Sequence, residues 1–531
     1  MGINNLASYQ TMDLGKEWSY TILACFACAA FLILRTRERL KSVPMPNGAS
    51  VLWGHEQIVF NMSAGMAYAQ WLKELNTSVL KIRGALGKLD LLVLADPFAV
   101  TYILQRRIYD YPHSEVVRPR IGRLLGKSLG WVEGEKEHKR MRQLVAASLS
   151  PEAIRSSAYN VHAAADTLQE RLEAHLADKS GDNIINTIDW TNQATLDVIG
   201  RFAFTHDFGG GINQEAIDIL GAWRNMAKVG ISRKGFLVLM VLRRFPFLNH
   251  LPLEALMAQG NVRSTIREGI AQELIRRSQR LPGESTDDNS LLSRLVSAHN
   301  AQLISMDELM DHITMFIFAG SETSSQTLGY ALWELAKDPK RQSQLREECL
   351  AYSGHLSYDD SQTKLPYLDA VIREVVRLHP ALAYMERVSV KEDVLPIRHP
   401  LQAPDGQELK NIKISAGQTI VIPIHAINRM DSIWGDGSAF RPERWLEDLP
   451  ARDILFSGWS NVLSFSDGPR NCVGTRLALF QMKVLLMTLV RRFEFQDTGS
   501  VIINKIASSM QPTVQGKEEL GPYLPVAVVT L

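Results

Sequence analysis

Cysteine is scarce: 531 residues carry four, Cys25, Cys28, Cys349 and Cys472. So few in so long a chain exclude a disulfide-stapled scaffold and suit a reducing compartment with one thiol kept for chemistry. Net charge is almost absent: 58 Lys and Arg against 57 Asp and Glu leave +1. That balance offers no global field for nucleic acid or other polyanions. No repeat of fixed period and no long low-complexity tract occurs, so repeat architectures are set aside. Alternating βα units are missing, and with them the expectation of a nucleotide-binding sheet. Gly122-Arg-Leu-Leu-Gly126-Lys127-Ser128 comes nearest to a phosphate loop, but three residues separate its glycines where four are required. What remains is 46% hydrophobic and 22% charged, the balance of a globular protein with a sizeable core.

One uncharged run stands apart. Trp18 to Leu34 (WSYTILACFACAAFLIL) is about 17 residues long, near the lower limit for a bilayer-spanning helix. Arg35, Arg37, Arg39 and Lys41 follow at once, and the charge rule keeps such a cluster, with the chain after it, in the cytosol. Ala27-Cys28-Ala29 matches a signal-cleavage pattern, but it lies inside the apolar run with the positive charge on the wrong side. An uncleaved anchor is therefore the expectation: 1–17 lumenal, 18–34 transmembrane, 35–50 a basic linker broken by Pro44 and Pro46, and 51–531 the folded domain. The sequons at Asn61 and Asn76 would then face the cytosol unmodified.

Most of the remainder carries helical periodicity, as over Pro151 to Asp178, Leu253 to Arg280, Met306 to Asp338 and Tyr367 to Leu378. Short β-like runs lie near Ser78 to Leu94, Val388 to Ile397 and Gln418 to Ile424. The expected class is mainly α with small β-sheets. Gly235 to Leu242 (GFLVLMVL) is too short to span a bilayer, and either dips into a membrane surface or packs as core.

The most informative stretch is Phe465-Ser-Asp-Gly468-Pro-Arg470-Asn-Cys472-Val-Gly474. Its glycines permit backbone conformations and close approaches that other residues resist. From Thr475 the pattern turns helical and strongly apolar, so the cysteine sits in a loop entering a buried helix. A helix N-terminus, backbone N–H groups and Arg470 would all favour thiolate. The pattern Phe-x-x-Gly-x-Arg-x-Cys-x-Gly, with Ala478 beyond it, resembles the haem-binding signature of the cytochromes P-450 at every fixed position.

Further motifs follow in the order that family shows. His138-Lys-Arg-Met-Arg142 resembles its Trp-x-x-x-Arg segment, with His in place of Trp. Ala319-Gly320-Ser-Glu322-Thr323, a glycine, an acid and hydroxyls within an apolar helix, is chemistry a buried helix resists and a functional site tolerates. It resembles the family's oxygen-activating segment. Glu374-Val-Val-Arg377 resembles the Glu-x-x-Arg pair, and Pro442-Glu-Arg444 the Pro-Glu-Arg segment. Many members of the family have Asp where this chain has Glu322.

The resemblance, closest to fungal microsomal members, implies a cytochrome P-450 fold behind a transmembrane helix. It implies haem b on the Cys472 thiolate, whose electron donation favours O–O cleavage. Arg470, Arg142, His138 and Arg387 would meet the propionates, with Phe465, Gly468 and Gly474 shaping the loop. Gly320 would make room over the haem, Thr323 would hold a proton network, and Glu322 would relay protons from outside. Glu374, Arg377 and Arg444 would lock the scaffold. The implied activity is oxidation of a lipophilic small molecule with O2, in secondary metabolism or xenobiotic oxidation. Electrons would come from an NADPH–cytochrome P-450 reductase, with cytochrome b5 as a further donor, in the endoplasmic reticulum membrane. Lys139 and Arg140 are candidates for the reductase-facing surface. Pocket walls are expected from Tyr111 to Leu129, Met315 to Ala319, Ala381 to Met385 and Ser508 to Thr513. Coupling, desaturation or isomerisation on the same haem-thiolate, or non-catalytic haem binding, are the alternatives.

Overall fold

The longest apolar pattern folds as one helix, Met306–Lys337, and the rest of the chain is arranged around it. Ser305 caps its start, its hydroxyl accepting from Glu308 N at 3.1 Å, while Asp307 and Glu308 complement the positive helix end. Most of its residues are buried, as expected of a helix enclosed by the core. Helix Thr187–Phe204 packs along it. Glycines let the two approach: a Cβ on Gly320 would lie 2.7 Å from Ile199, and one on Gly329 2.7 Å from Ile188. Polar ties cross the same seam, from Thr191 Oγ1 to Ser325 Oγ at 2.9 Å and from Thr195 Oγ1 to Ser321 O at 3.1 Å.

The computed structural model describes residues 40–178, 183–280, 290–403, 406–450 and 456–531. The expected anchor at 18–34 lies outside these residues. Among the described residues no helix is long and apolar enough to cross a membrane.

Small sheets flank the helices. β1 (Val79–Ile82), β2 (Leu91–Leu94), β4 (Met385–Val388) and β7 (Thr419–Ile422) form one in the order β1-β2-β7-β4. β3 (Ile184–Asn186), β8 (Phe493–Asp497) and β11 (Pro525–Thr530) form another in the order β3-β11-β8. β5 (Asp393–Gln402) pairs with β6 (Glu408–Ile414), and β9 (Ile502–Ile506) with β10 (Met510–Val514). The mainly α expectation with small sheets is the observed architecture.

Three boundaries differ from the sequence reading. The single helix expected over Pro151 to Asp178 divides at Ser157 into Pro151–Ser156 and Ala158–Ala177. The serines there compete for backbone groups, and Ser156 Oγ donates to Ala153 O at 3.0 Å. The run from Ser78 to Leu94 is two antiparallel strands, β1 and β2. The run near Val388 to Ile397 is shared between β4 and β5, which belong to different sheets. Gly235 to Leu242 lies within helix Arg233–Arg244. Phe236 and Met240 pack inward, with Phe236 stacked on Phe60 at 4.5 Å, while Leu237 is exposed.

Candidate active site

The cysteine loop is built by its own backbone. Cys472 N donates to Phe465 O at 2.9 Å, closing the loop into a narrow turn. Gly468 has φ +67°, and a Cβ there would sit 2.2 Å from Leu104 O, so both conformation and space require glycine. Asp467 fixes the near side: its carboxylate accepts from Gly468 N at 2.7 Å and Gln105 Nε2 at 3.0 Å. Phe465 packs edge-on against Trp459 at 5.3 Å. Helix Thr475–Arg492 begins just past the thiol, and Thr475 Oγ1 donates to Cys472 O at 2.9 Å. At Gly474 the nearest foreign atom to a Cβ would be Cys472 Sγ, at 3.9 Å. Gly474 thus leaves the sulfur's flank open.

Cys472 is accessible; burial among the protein raises its pKa, while the Gly474 N–H and Arg142 lower it, as the sequence led one to expect of a nearby backbone N–H.

Arg142, on helix Glu135–Ala146, reaches the residue before the thiol. Its Nη1 donates to Asn471 O at 2.7 Å and its Nη2 to Asn471 Oδ1 at 2.6 Å. His138, one turn earlier, is buried, and its Nδ1 lies 3.1 Å from Tyr109 Oη. Burial and then Arg470 and Arg142 push its pKa down to about 4, so it is neutral near pH 7. Lys139 is exposed and paired with Glu135 at 2.6 Å. Arg140 instead bridges Glu137 and Glu308, each at 2.6 Å, tying this helix to the start of the central one.

Two arginines converge beside the loop, Arg387 buried and Arg470 half-buried. Arg470 Nη2 donates to Val132 O at 2.7 Å and to Glu133 Oε2 at 3.0 Å. Arg387 on β4 is buried, and its Nε and Nη1 have no partner; nor has Arg470 Nε. Burial first, and then Arg470, lower Arg387 to about 10. Glu133 is shared with His113, whose Nδ1 lies 2.6 Å from Glu133 Oε1. Orphaned buried donors on mutually repelling cations form a site with unmet demand for anionic oxygen. Glu133 and His113 carry no motif, and only their contacts reveal them.

The central helix presents Ala319 and Thr323, one turn apart, on its accessible side. Thr323 Oγ1 donates to Ala319 O at 2.9 Å. The Cβ that Gly320 lacks would point into Ile199, so the glycine serves the close packing of the two helices. Glu322 is 1% exposed. Its Oε1 accepts from Ser508 Oγ at 2.5 Å, Ser509 Oγ at 2.9 Å and Gln511 Nε2 at 2.9 Å, all from the β9–β10 turn region. Burial raises its pKa against those hydrogen bonds. That turn closes over the carboxyl, and its contact with a neighbouring cavity runs through Ser508.

Glu374, Arg377 and Arg444 form a closed knot. Arg377 donates to Glu374 at 2.8 and 2.9 Å, to Asn428 O at 2.7 Å, to Gly437 O at 2.6 Å and to Ala439 O at 3.1 Å. Glu374 also accepts from Arg444 Nε at 3.0 Å, Arg441 N at 2.8 Å and Trp445 Nε1 at 2.9 Å. Asn428, which no motif marks, carries the knot to the cysteine loop. Its Nδ2 donates to Arg377 O at 3.1 Å and Ser464 Oγ at 2.9 Å, and its Oδ1 accepts from Leu463 N at 3.2 Å.

The cavity near Ser508 is lined by Val116, Arg120, Arg123 and Tyr384, from the expected segments, and by Phe60 and Phe236, which no motif singled out. The Met315 to Ala319 segment does not contribute to it.

This fold and loop define a haem-thiolate oxidoreductase. A family model for cytochrome P-450 matches residues 66–517. Cytochrome P-450 monooxygenase claQ of Ampulloclitocybe clavipes is 30% identical over 521 residues, 94% of this chain and 95% of that protein. Its relative claU from the same fungus is 31% identical over 538 residues, 96% of this chain and 97% of that protein. Cytochrome P-450 monooxygenase 128 of Postia placenta is 28% identical over 527 residues, 95% of each. The chain belongs to the cytochrome P-450 family and is a monooxygenase, using haem b with an axial cysteine thiolate, O2, a small-molecule substrate and a redox partner. Its residues fit that cofactor. An accessible cysteine stands in a glycine-framed loop, and the unpartnered donors of Arg387 and Arg470 suit propionate oxygens.

Proposed function

We propose that this monooxygenase oxidises a lipophilic small molecule at a haem held by Cys472, within a catalytic domain spanning 51–531. The observation that carries the assignment of residues is the cysteine loop, with its accessible sulfur beside open Gly474 and two orphaned arginines close by. Haem bound there supplies O2 activation and oxidation of unactivated C–H bonds.

The chain's own groups set the conditions. Arg387 and Arg470 bind the propionates, gaining the partners their buried donors lack. Arg142 orients the loop through Asn471, and neutral His138 orders the same wall through Tyr109. The Gly474 N–H steadies the sulfur's negative charge. Thr323 offers a hydroxyl whose proton rests on Ala319 O. Glu322, whose pKa burial raises, relays protons one residue away, and Ser508 links it to the cavity. Electrons reach the site from an NADPH–cytochrome P-450 reductase, with cytochrome b5 as a further donor. Residues 18–34 anchor the chain in the endoplasmic reticulum membrane with the domain in the cytosol, a topology supported by the basic cluster at 35–41.

Membranes containing the chain, reduced with dithionite and exposed to CO, should give the strongly red-shifted Soret band of thiolate-ligated haem, and Cys472→Ser should lose it. A histidine-like band in folded, haem-loaded wild type would overturn the assignment.

A further inference from the structure

The cavity beside Ser508 is walled by apolar side chains, among them Phe60, Met226, Phe236, Leu239 and Met240. Its charges do not balance. Arg243 is matched by two carboxylates, Glu56 and Glu386. Lys505 Nζ rests on two carbonyls, Phe60 O at 2.9 Å and Asn61 O at 3.1 Å. Arg123 is held by neutral partners, Asn249 Oδ1 and Gln259 Oε1, both at 3.0 Å. Arg120, one turn before Arg123 on helix Val117–Leu125, has a single hydrogen bond, from Nη2 to Ala507 O. Among the described residues no carboxylate forms an ion pair with it, and Glu322 acts on it only from beyond that distance.

Arginine keeps its charge at any physiological pH, and Arg120, half-buried in the cavity wall, has no carboxylate paired with it. Burial lowers its pKa, and Tyr384 and Glu322 oppose that shift. The planar fork suits a carboxylate, which it can grip through two parallel bonds. We propose that the substrate is an amphipathic carboxylic acid whose carboxylate pairs with Arg120 while its hydrocarbon body lies against the Phe60–Phe236 wall. This rests on the monooxygenase reading above and narrows its substrate class. Arg120 is then a binding residue that selects charge, and Arg123 adds field without contact.

The test is calorimetric titration of the holoenzyme, in parallel with the substrate-induced Soret shift, using medium- and long-chain fatty acids and their methyl esters. At least one acid should bind about tenfold or more tightly than its ester, the worth of a hydrogen bond to a charged group. Arg120→Gln should abolish that preference and leave ester binding unchanged, and Arg120→Lys should keep part of it. Esters binding as well as acids, a preference surviving in Arg120→Gln, or no acid binding at all would each overturn the proposal. The CO difference spectrum of Arg120→Gln, expected to match wild type, separates failure here from failure of the haem-thiolate assignment.

Discussion

Around Glu374, two arginines are buried and every donor described on them has an acceptor; around Glu133, Arg387 is buried, Arg470 is half-buried, and three of their donors have none. The first cluster has one carboxylate accepting from both cations, with Asp436 on Arg444 and backbone carbonyls completing the shell. The second has one carboxylate bound to Arg470 and His113 and leaves Arg387 to repel Arg470. A satisfied network holds a shape, whereas an unsatisfied one carries a demand that a ligand meets. The same residue type is thus scaffold in one place and site in the other.

That contrast can be broken at its strong end first. Glu374→Ala leaves Arg377 and Arg444 buried without their shared anion, a loss of about 3–5 kcal/mol. A loss of that size is a large share of ordinary stability. Holoprotein yield and the thermal midpoint should both collapse, and a folded, haem-loaded Glu374→Ala protein would erase the distinction. Arg387→Met should act with opposite signs on the two states. Apoprotein stability should hold or rise as a repelling cation disappears, while haem transfer to apomyoglobin should speed about tenfold. Equal losses of both would make Arg387 scaffold after all.

A milder probe tests the helix seam. Gly320→Ala drives a methyl into Ile199, at a cost of about 1–3 kcal/mol, and Ile199→Ala in the same chain should recover much of it. Urea midpoints of the single and double variants measure this. A normal midpoint for Gly320→Ala alone would mean that the seam yields freely.

The smallest effect is on pH dependence. His113 beside the open cluster and His379 near the closed one are each lowered to about 4, His113 by burial and Arg387, His379 by burial against its bond to Glu334. An unfolded histidine titrates near about 6.5, so acid adds protons to the unfolded chain before the folded one. Stability is therefore fully present above about 6.5 and is lost as pH falls toward 4. Urea midpoints followed through that window should slope, and His379→Gln should shallow the slope by up to about one proton. An unchanged slope would mean that His379 is not neutral in the fold.

Much of this was readable from the chain. Cys472, Glu374, Arg377 and Arg444 lie in short local patterns whose spacing carries their geometry, and the central helix announces itself by an unbroken apolar period. Glu133, His113, Asn428 and Arg120 did not announce themselves. Each acts through a partner distant in sequence, as Asn428 does on Leu463 and Arg120 on Ala507, and single polar residues in a helix or loop carry no periodic signal. Gly320 sat in a readable motif, but which way its missing side chain points is set by helix packing, which no motif states.

One consequence concerns how such chains can be recombined. Ser508, Ser509 and Gln511 sit close to the C-terminus, yet they hold the carboxyl at the middle of the central helix. A chimera that takes its last strands from one relative and its central helix from another therefore exchanges the setting of Glu322 without altering Glu322. For breeding or shuffling, these two segments are a single inherited unit, though roughly 190 residues lie between them.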